Sequence, residues 1–404
     1  MKSQLRFFLP MLAVLAVAAC NAGGTSNVPS SQSQSSLSGR PMPQWQAKHL
    51  ARRACPDAPL GYMHCDVLIE SKNGAGPATN VAGLTPANLQ ARYNLPSSKD
   101  GAGQVVAIVD AYDNPDAATD LATYRTNFGL GKAKFTKYNQ EGQTSNYPQG
   151  SSGWGVEEDL DIEMVSASCP KCTIYLIESN DNSGNNLYDA EIEAVKLGAG
   201  IVSNSWGGGG GSASGGAFDT KGITYLASAG DGGYGMQDPA DYKTVISVGG
   251  TLLAVGTGTN FTETVWPDSG GGCSVVSKPW WQRDKGCTFR TGNDIAAVAW
   301  NAAEYDTYDN PGWFTVGGTS VSSPLVAGMF ALAGNSTKLH GGKSLWLLRR
   351  KKDVKKDFHY IDSGDLAGCP TSLQGTYLCD GGTNQFGLYS GPSGWGTPNG
   401  VGGL

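Results

Sequence analysis

Gly318-Thr319-Ser320-Val321-Ser322-Ser323-Pro324 runs directly into Leu325-Val326-Ala327-Gly328-Met329-Phe330-Ala331-Leu332. The second part is an apolar run suited to a buried helix, and the first places a hydroxyl at its opening turn. The first N–H groups of a helix have no partner inside it, and its positive end favours negative charge. Ser320 therefore has the surroundings of a nucleophile, because its own N–H can face the oxyanion that its attack creates. A plain Ser/Thr helix cap is the alternative reading, and the Gly-Thr-Ser-x-x-x-Pro pattern weighs against it.

Upstream, from Gln104 onward, short apolar runs alternate with helix-length segments. The runs are Val105–Val109, Thr173–Ile177, Gly200–Val202, Ile223–Ala227 and Val245–Val248, bounded by Asp, Gly and Asn. With a helical segment over Asn185–Leu197, they predict an α/β chain with a central, mostly parallel sheet flanked by helices. Chemistry in such sheets gathers in loops at the carboxyl ends of the strands. Those loops carry Asp110, Ser205-Trp206-Gly207 and Ala229-Gly230-Asp231-Gly232-Gly233.

A base for Ser320 is the next requirement. The chain has 4 His, at positions 49, 64, 340 and 359, and none lies between Asp110 and Ser320. The order Asp, His, Ser is therefore absent. A trypsin-like order can be assembled from Met63-His64-Cys65 and Pro267-Asp268-Ser269, but His64 precedes every expected core strand. Gly318-Thr319-Ser320-Val321-Ser322 also lacks the second Gly of an α/β-hydrolase elbow. What does lie upstream is carboxylate: Glu157, Glu158, Asp159, Asp161 and Glu163 within Trp154–Val165. Val156, Leu160, Met164 and Val165 recur with helical spacing, so Glu157 and Asp161 share a face beside an apolar stripe. Two carboxyls that close do not both ionise cheaply, so the pair can share a proton and act as a general base in acid. A solvated acidic helix start is the alternative.

In this order the blocks resemble the sedolisins, or serine-carboxyl peptidases, which place a Ser-Glu-Asp triad on a subtilisin-like fold. Leu84-Thr85-Pro86-Ala87-Asn88-Leu89-Gln90-Ala91-Arg92-Tyr93-Asn94-Leu95-Pro96 looks like the entry to that family's catalytic domain, and the resemblance spans about residues 84 to 404. It implies a three-layer subtilisin-like fold with Ser320 as nucleophile, Glu157 as base and Asp161 as its proton-sharing partner. Asp231, kept protonated, would donate to the oxyanion, and Ser205-Trp206-Gly207 would form the edge that pairs with substrate backbone. Core packing is the other reading of Trp206. Unperturbed carboxyl pKa values place best activity at about pH 3 to 5. No cofactor is implied for the chemistry. The family's calcium loops expect Asp where this chain has Tyr360 and Ser390, which leaves a structural Ca²⁺ undecided.

The remaining sequence sets the compartment. Lys2, Arg6 and an apolar run up to Ala19 read as a signal peptide over residues 1–20, and Val17-Ala18-Ala19-Cys20 resembles a lipobox with Cys20 as the lipidated residue. Ordinary cleavage after Ala19 is the alternative. Residues 21–44 are Ser-, Gln-, Gly- and Pro-rich and read as a flexible tether, and 45–83 as a short pro-region or cap. The other Cys fall as near neighbours: Cys55 with Cys65, Cys169 with Cys172, Cys273 with Cys287 and Cys369 with Cys379. An even count in an exported chain favours disulfides in these pairs. Only 16% of the 404 residues are charged, against about 25% in an average domain. The net charge of −6 argues against nucleic acid as a main partner.

The sequence is thus read as an exported acid endopeptidase acting on proteins or peptides, monomeric, and either a periplasmic or outer-membrane lipoprotein or extracellular. A catalytically weak or inactive sedolisin-like binding protein is the alternative. A two-carboxylate glycosidase using Glu157 and Asp231 would leave Ser320 unexplained.

Overall fold

The structure, a computed structural model, describes residues 42–71, 81–208, 216–258, 260–348 and 354–404. The expected signal, Cys20 and the tether up to residue 41 lie outside the described residues.

Helix α1 (Gln44–Ala47) and three short strands, β1 (Ala51–Arg53), β2 (His64–Cys65) and β3 (Leu68–Glu70), come first. After α2 (Pro86–Arg92) the chain alternates: β4 (Val105–Ala111), α3 (Ala117–Asn127), β5 (Lys134–Asn139), α4 (Ser152–Ser168), β6 (Thr173–Ser179), α5 (Gly184–Lys196), β7 (Ile201–Asn204). Strands β8 (Trp206–Gly207), β9 (Thr224–Ser228), β10 (Val245–Val255), β11 (Phe261–Val265), β12 (Gly272–Ser277) and β13 (Phe289–Gly292) follow. Then β14 (Ile295–Val298), β15 (Ala302–Asp306) and β16 (Gly312–Gly317) lead into α6 (Thr319–Ala333).

The central sheet has 8 strands in the order β11-β10-β9-β7-β4-β6-β5, with β14 alongside β10. All its pairings are parallel except β10 with β11. β4 is buried from Val106 to Ala111, as expected for a parallel strand covered by helices, and its sequence is apolar but for Asp110, which lies within the strand and not in the loop expected to carry it. The sheet grows to one side of β4 through β6 and β5, and to the other through β7, β9 and β10. The ends of β4 and β7 therefore frame the crevice where strand order reverses.

Helix α4 is packed by α6, α3, α2, β4, β6 and β15, and from Trp154 to Ser168 all its residues are buried. Glu157, Glu158, Asp159, Asp161 and Glu163 are all buried, and the solvated-helix reading fails for that reason. Helix α6 lies on β7, β9, β10 and β14 and directly against α4. The two helices meet closely at Gly328, where a Cβ would stand 2.0 Å from Ser168 Oγ.

The segment ahead of residue 72 is threaded into the domain. β1 and β3 enter an antiparallel sheet of order β1-β3-β16-β15, and β2 pairs with β8. Its start is held by Asp268, whose carboxylate accepts the N–H groups of Gln44 at 2.7 Å and Trp45 at 2.9 Å. The four neighbouring Cys pairs are bonded, with Cα separations of 5.7 Å (Cys55–Cys65), 5.5 Å (Cys169–Cys172), 5.5 Å (Cys273–Cys287) and 6.1 Å (Cys369–Cys379).

Candidate active site

Gly318, with φ of 109°, turns the chain from β16 into α6. Few residues but glycine take that φ, and the space is closed as well: a Cβ would lie 1.9 Å from the Asp66 carbonyl oxygen and 2.8 Å from Asp231 Oδ2. Ser320 follows in the first turn of α6, fully buried. Its Oγ donates to Glu157 Oε2 at 2.7 Å and lies 3.3 Å from the Ser205 carbonyl oxygen. One helical turn after Glu157, Asp161 accepts the Ser205 hydroxyl through Oδ1 at 2.7 Å. Ser320, Ser205 and the Glu157–Asp161 turn, from three separate parts of the chain, thus form one connected group.

Asp231 faces the same turn from the loop after β9. Its Oδ1 accepts the Thr319 N–H at 2.8 Å and the Thr319 hydroxyl at 2.9 Å. Its Oδ2 is buried without a hydrogen-bond partner and adjoins the space beside Gly318. Such an atom suits a carboxyl that carries a proton and can donate it to a developing oxyanion.

Burial dominates the electrostatics. It pushes the Glu157 carboxyl well above the usual range; repulsion by Asp161 adds to this and the Ser320 hydrogen bond opposes it. Asp161 is raised by burial and then by Asp110, against hydrogen bonds from Ser205 and Glu157. Asp231 is raised by burial and then by Asp66, against the Thr319 N–H. Two mutually interacting carboxyls with raised pKa values hold one proton between them over part of the acid range.

The other expected residues take definite places. The Trp206 indole belongs to the core: its Nε1 donates to the Val109 carbonyl at 2.7 Å, and the ring packs against Tyr188 and Phe218. The backbone of Trp206 and Gly207 does form a paired edge, with Cys65 and His64 as partners. His64 Nε2 lies 3.5 Å from Asp66 Oδ1, and Asp268 is engaged by Gln44 and Trp45, so the trypsin-like assembly has no counterpart. Among residues that sequence reasoning passed over, Asp66, Val67 and Gln237 reach the site. For Asp66 and Val67 the sequence signal is Cys65, whose bridge to Cys55 pins the segment; Gln237 has none. At the expected calcium loops, the Tyr360 hydroxyl donates to the Gly381 carbonyl at 2.8 Å and Ser390 Oγ is 2.9 Å from Ser393 Oγ. These groups do not supply the carboxylates that site would need. Among the described residues, Asp120, Asp159 and Asp306 bring ligand oxygens within 4.8 Å of one another, where α3, α4 and β15 meet.

Comparison with known proteins agrees with this topology. The subtilase family (Peptidase_S8) matches residues 142–339. Kumamolisin from Bacillus sp. (strain MN-32) is 31% identical over 285 residues, covering 61% of this chain and 51% of its own. Sedolisin from Pseudomonas sp. (strain 101) is 24% identical over 297 residues, covering 63% and 51%. The chain spans about half the length of these curated relatives. The solved Pseudomonas sedolisin, a serine-carboxyl proteinase complexed with two molecules of pseudo-iodotyrostatin, superimposes with a TM-score of 0.65 at 24% identity, over 79% of this chain and 96% of that one. With the observed strand order, the superposition on sedolisin gives the chain a subtilisin-like α/β fold.

Proposed function

We propose that the chain is an acid-acting serine-carboxyl endopeptidase that hydrolyses peptide bonds through an acyl-enzyme on Ser320. The observation that carries this reading is the 2.7 Å hydrogen bond from Ser320 Oγ to Glu157 Oε2, made where no His reaches the serine. Ser320 Oγ attacks the peptide carbonyl carbon while Glu157 takes its proton, and Asp161 holds Glu157 and shares its charge. Asp231, protonated, donates through Oδ2 to the oxyanion beside the Ser320 N–H. Collapse breaks the C–N bond, and Glu157 returns the proton to the leaving amine. Water then hydrolyses the ester with Glu157 again as base. No cofactor enters these steps.

The pH dependence follows from two protonation states. Glu157 must be able to accept a proton, and Asp231 must keep one, so activity rises as the Glu157/Asp161 pair loses its first proton and falls as Asp231 ionises. The substrates are proteins or peptides, and the enzyme works as an exported monomer, anchored through a lipid on Cys20 or released. Among the described residues, no helix is long and apolar enough to cross a membrane. Intact-mass measurement tests the anchor: an unmodified Cys20 in the mature protein counts against it.

The central test is cleavage of a denatured protein from about pH 2.5 to 8, a span that brackets carboxyl and imidazole titration. Wild type should cleave on the acid side, and Ser320→Ala and Glu157→Gln should not. Cleavage retained by Ser320→Ala would falsify the reading.

A further inference from the structure

The cleft around Ser320 is filled by the chain's own N-terminal segment, running as an extended strand. His64 pairs with Gly207 and Cys65 with Trp206. The Asp66 N–H donates to the Ser205 carbonyl at 3.0 Å. The Val67 N–H donates to Glu157 Oε2 at 2.9 Å, the oxygen that Ser320 Oγ also bonds. Leu68 and Ile69 then pair with Gly317 and Val316, just ahead of the nucleophile. Strand addition to a protein edge is a general way to hold an extended peptide. In this register a single peptide bond, Asp66–Val67, lies among the reacting groups, with its carbonyl oxygen in the space that Gly318 leaves beside Asp231 Oδ2.

The side chain preceding that bond has its own pocket. Asp66 is fully buried, and its Oδ2 accepts from Ser228 Oγ at 2.5 Å and from Gln237 Nε2. Room for Gln237 comes from two glycines: a Cβ on Gly207 would lie 2.1 Å from Gln237 Cδ, and one on Gly230 would lie 2.9 Å from Gln237 Oε1. Gln237 Nε2 also donates to the Ser228 carbonyl at 3.4 Å, which keeps the amide facing the pocket. An aliphatic side chain there would leave the Ser228 hydroxyl and the Gln237 amide without the oxygen they now share.

We propose that Ser228 and Gln237 form a specificity pocket for an aspartyl side chain in the residue whose carbonyl is attacked, with Asp66 as its built-in occupant. The proposal rests on the serine-carboxyl peptidase reading and names its substrate class. Ser320 Oγ forms an ester with the aspartyl carbonyl carbon, the C–N bond breaks, and the amine leaves with the proton Glu157 took from Ser320. Water hydrolyses the ester and frees a chain ending in Asp.

The test uses the full chain with a denatured protein of known sequence at about pH 4, near the ordinary carboxyl range. Cut sites, including any new N-terminus at Val67 of the chain itself, are read by mass spectrometry. Wild type should show Asp before the cut bond enriched about tenfold or more over its abundance, as expected when a site hydrogen-bonds a polar side chain. The Val67 terminus should also form, and should be absent with Ser320→Ala. Gln237→Leu and Ser228→Ala should each bring the enrichment towards parity, with Ser320-dependent cuts at other residues persisting; two variants guard against one failing to fold. Ser320-dependent acid cleavage without Asp enrichment, or enrichment unchanged in both variants, overturns the pocket and leaves the peptidase reading standing. Absence of any Ser320-dependent cut, in the added protein or the chain, overturns both.

Discussion

Asp231 shows how one side chain can be given a role by what it is denied. Its Oδ1 is fixed by Thr319 and its Oδ2 has no partner, so a proton on Oδ2 points into the space where an attacked carbonyl would develop charge. Burial holds that proton to higher pH than an exposed carboxyl would. Asp231→Ala should therefore lower kcat by about 10²- to 10³-fold, the usual cost of a lost oxyanion donor, with KM little changed. Asp231→Asn retains an N–H donor and should recover part of the loss, with the alkaline fall in activity moved upward because the amide does not ionise. Steady-state kinetics across pH check this, and a loss confined to KM would sink the assignment. Gly318 belongs to the same argument, since any side chain there meets both Asp66 and Asp231.

Among the elements, the α4–α6 contact sets the Ser320–Glu157 distance. Gly328 is a point of close approach, and its missing Cβ leaves room for Ser168 Oγ. Alanine in a helix interior is normally more favourable than glycine, but here Gly328→Ala should destabilise by about 1–3 kcal/mol through overpacking. It should also depress kcat out of proportion, because separating the helices lengthens the Ser320–Glu157 bond. Thermal unfolding and kinetics on one sample check both, and an unchanged or raised Tm would contradict this account. Helix α6 and strands β4, β6, β7, β9 and β10 are legible in the sequence because each buries an apolar run, as in Val105–Val109 and Leu325–Leu332, whereas β5, Lys134–Asn139, is too polar to show one. Spacing puts Glu157 and Asp161 on one helix face, but Asp159 and Glu163 share that spacing, and the missing His together with the family resemblance singles out the first pair. The burial of Glu158, Asp159 and Glu163 beside them was not legible, since it depends on α2, α3 and β15 closing faces that the helix's own sequence leaves polar. The strands β1, β2 and β3 were illegible for a different reason. They span 3, 2 and 3 residues, too short for any periodicity, and they exist only because distant edges at β16 and β8 accept them.

For the whole molecule, a formal charge of −6 misdescribes a chain that keeps so many carboxyls out of water. Burial pushes Glu70 and Asp306 up to about 7, and Glu178 and Asp241 to about 8. Both oxygens of Asp110 and Glu304 are buried without hydrogen-bond partners, which suits neutral carboxyls. The native state thus binds protons more tightly than the unfolded chain, whose carboxyls titrate near 4, and stability falls with rising pH wherever that difference holds. This contribution is complete below about pH 4 and is lost progressively as pH rises towards 8. Melting of Ser320→Ala, which lacks the proposed nucleophile, should therefore give its highest Tm on the acid side; a Tm that climbs steadily from there to neutrality would refute the argument. The Cys55–Cys65 bridge has a consequence of its own. Both cysteines lie ahead of the Asp66–Val67 bond, so the bridge closes a ring within the upstream piece and ties nothing across that bond. Were the bond cut, the ring would stay only as long as noncovalent contacts hold it, β1 to β3, β2 to β8 and Gln44 and Trp45 to Asp268, making its departure a reversible equilibrium that dilution, and no reductant, would drive.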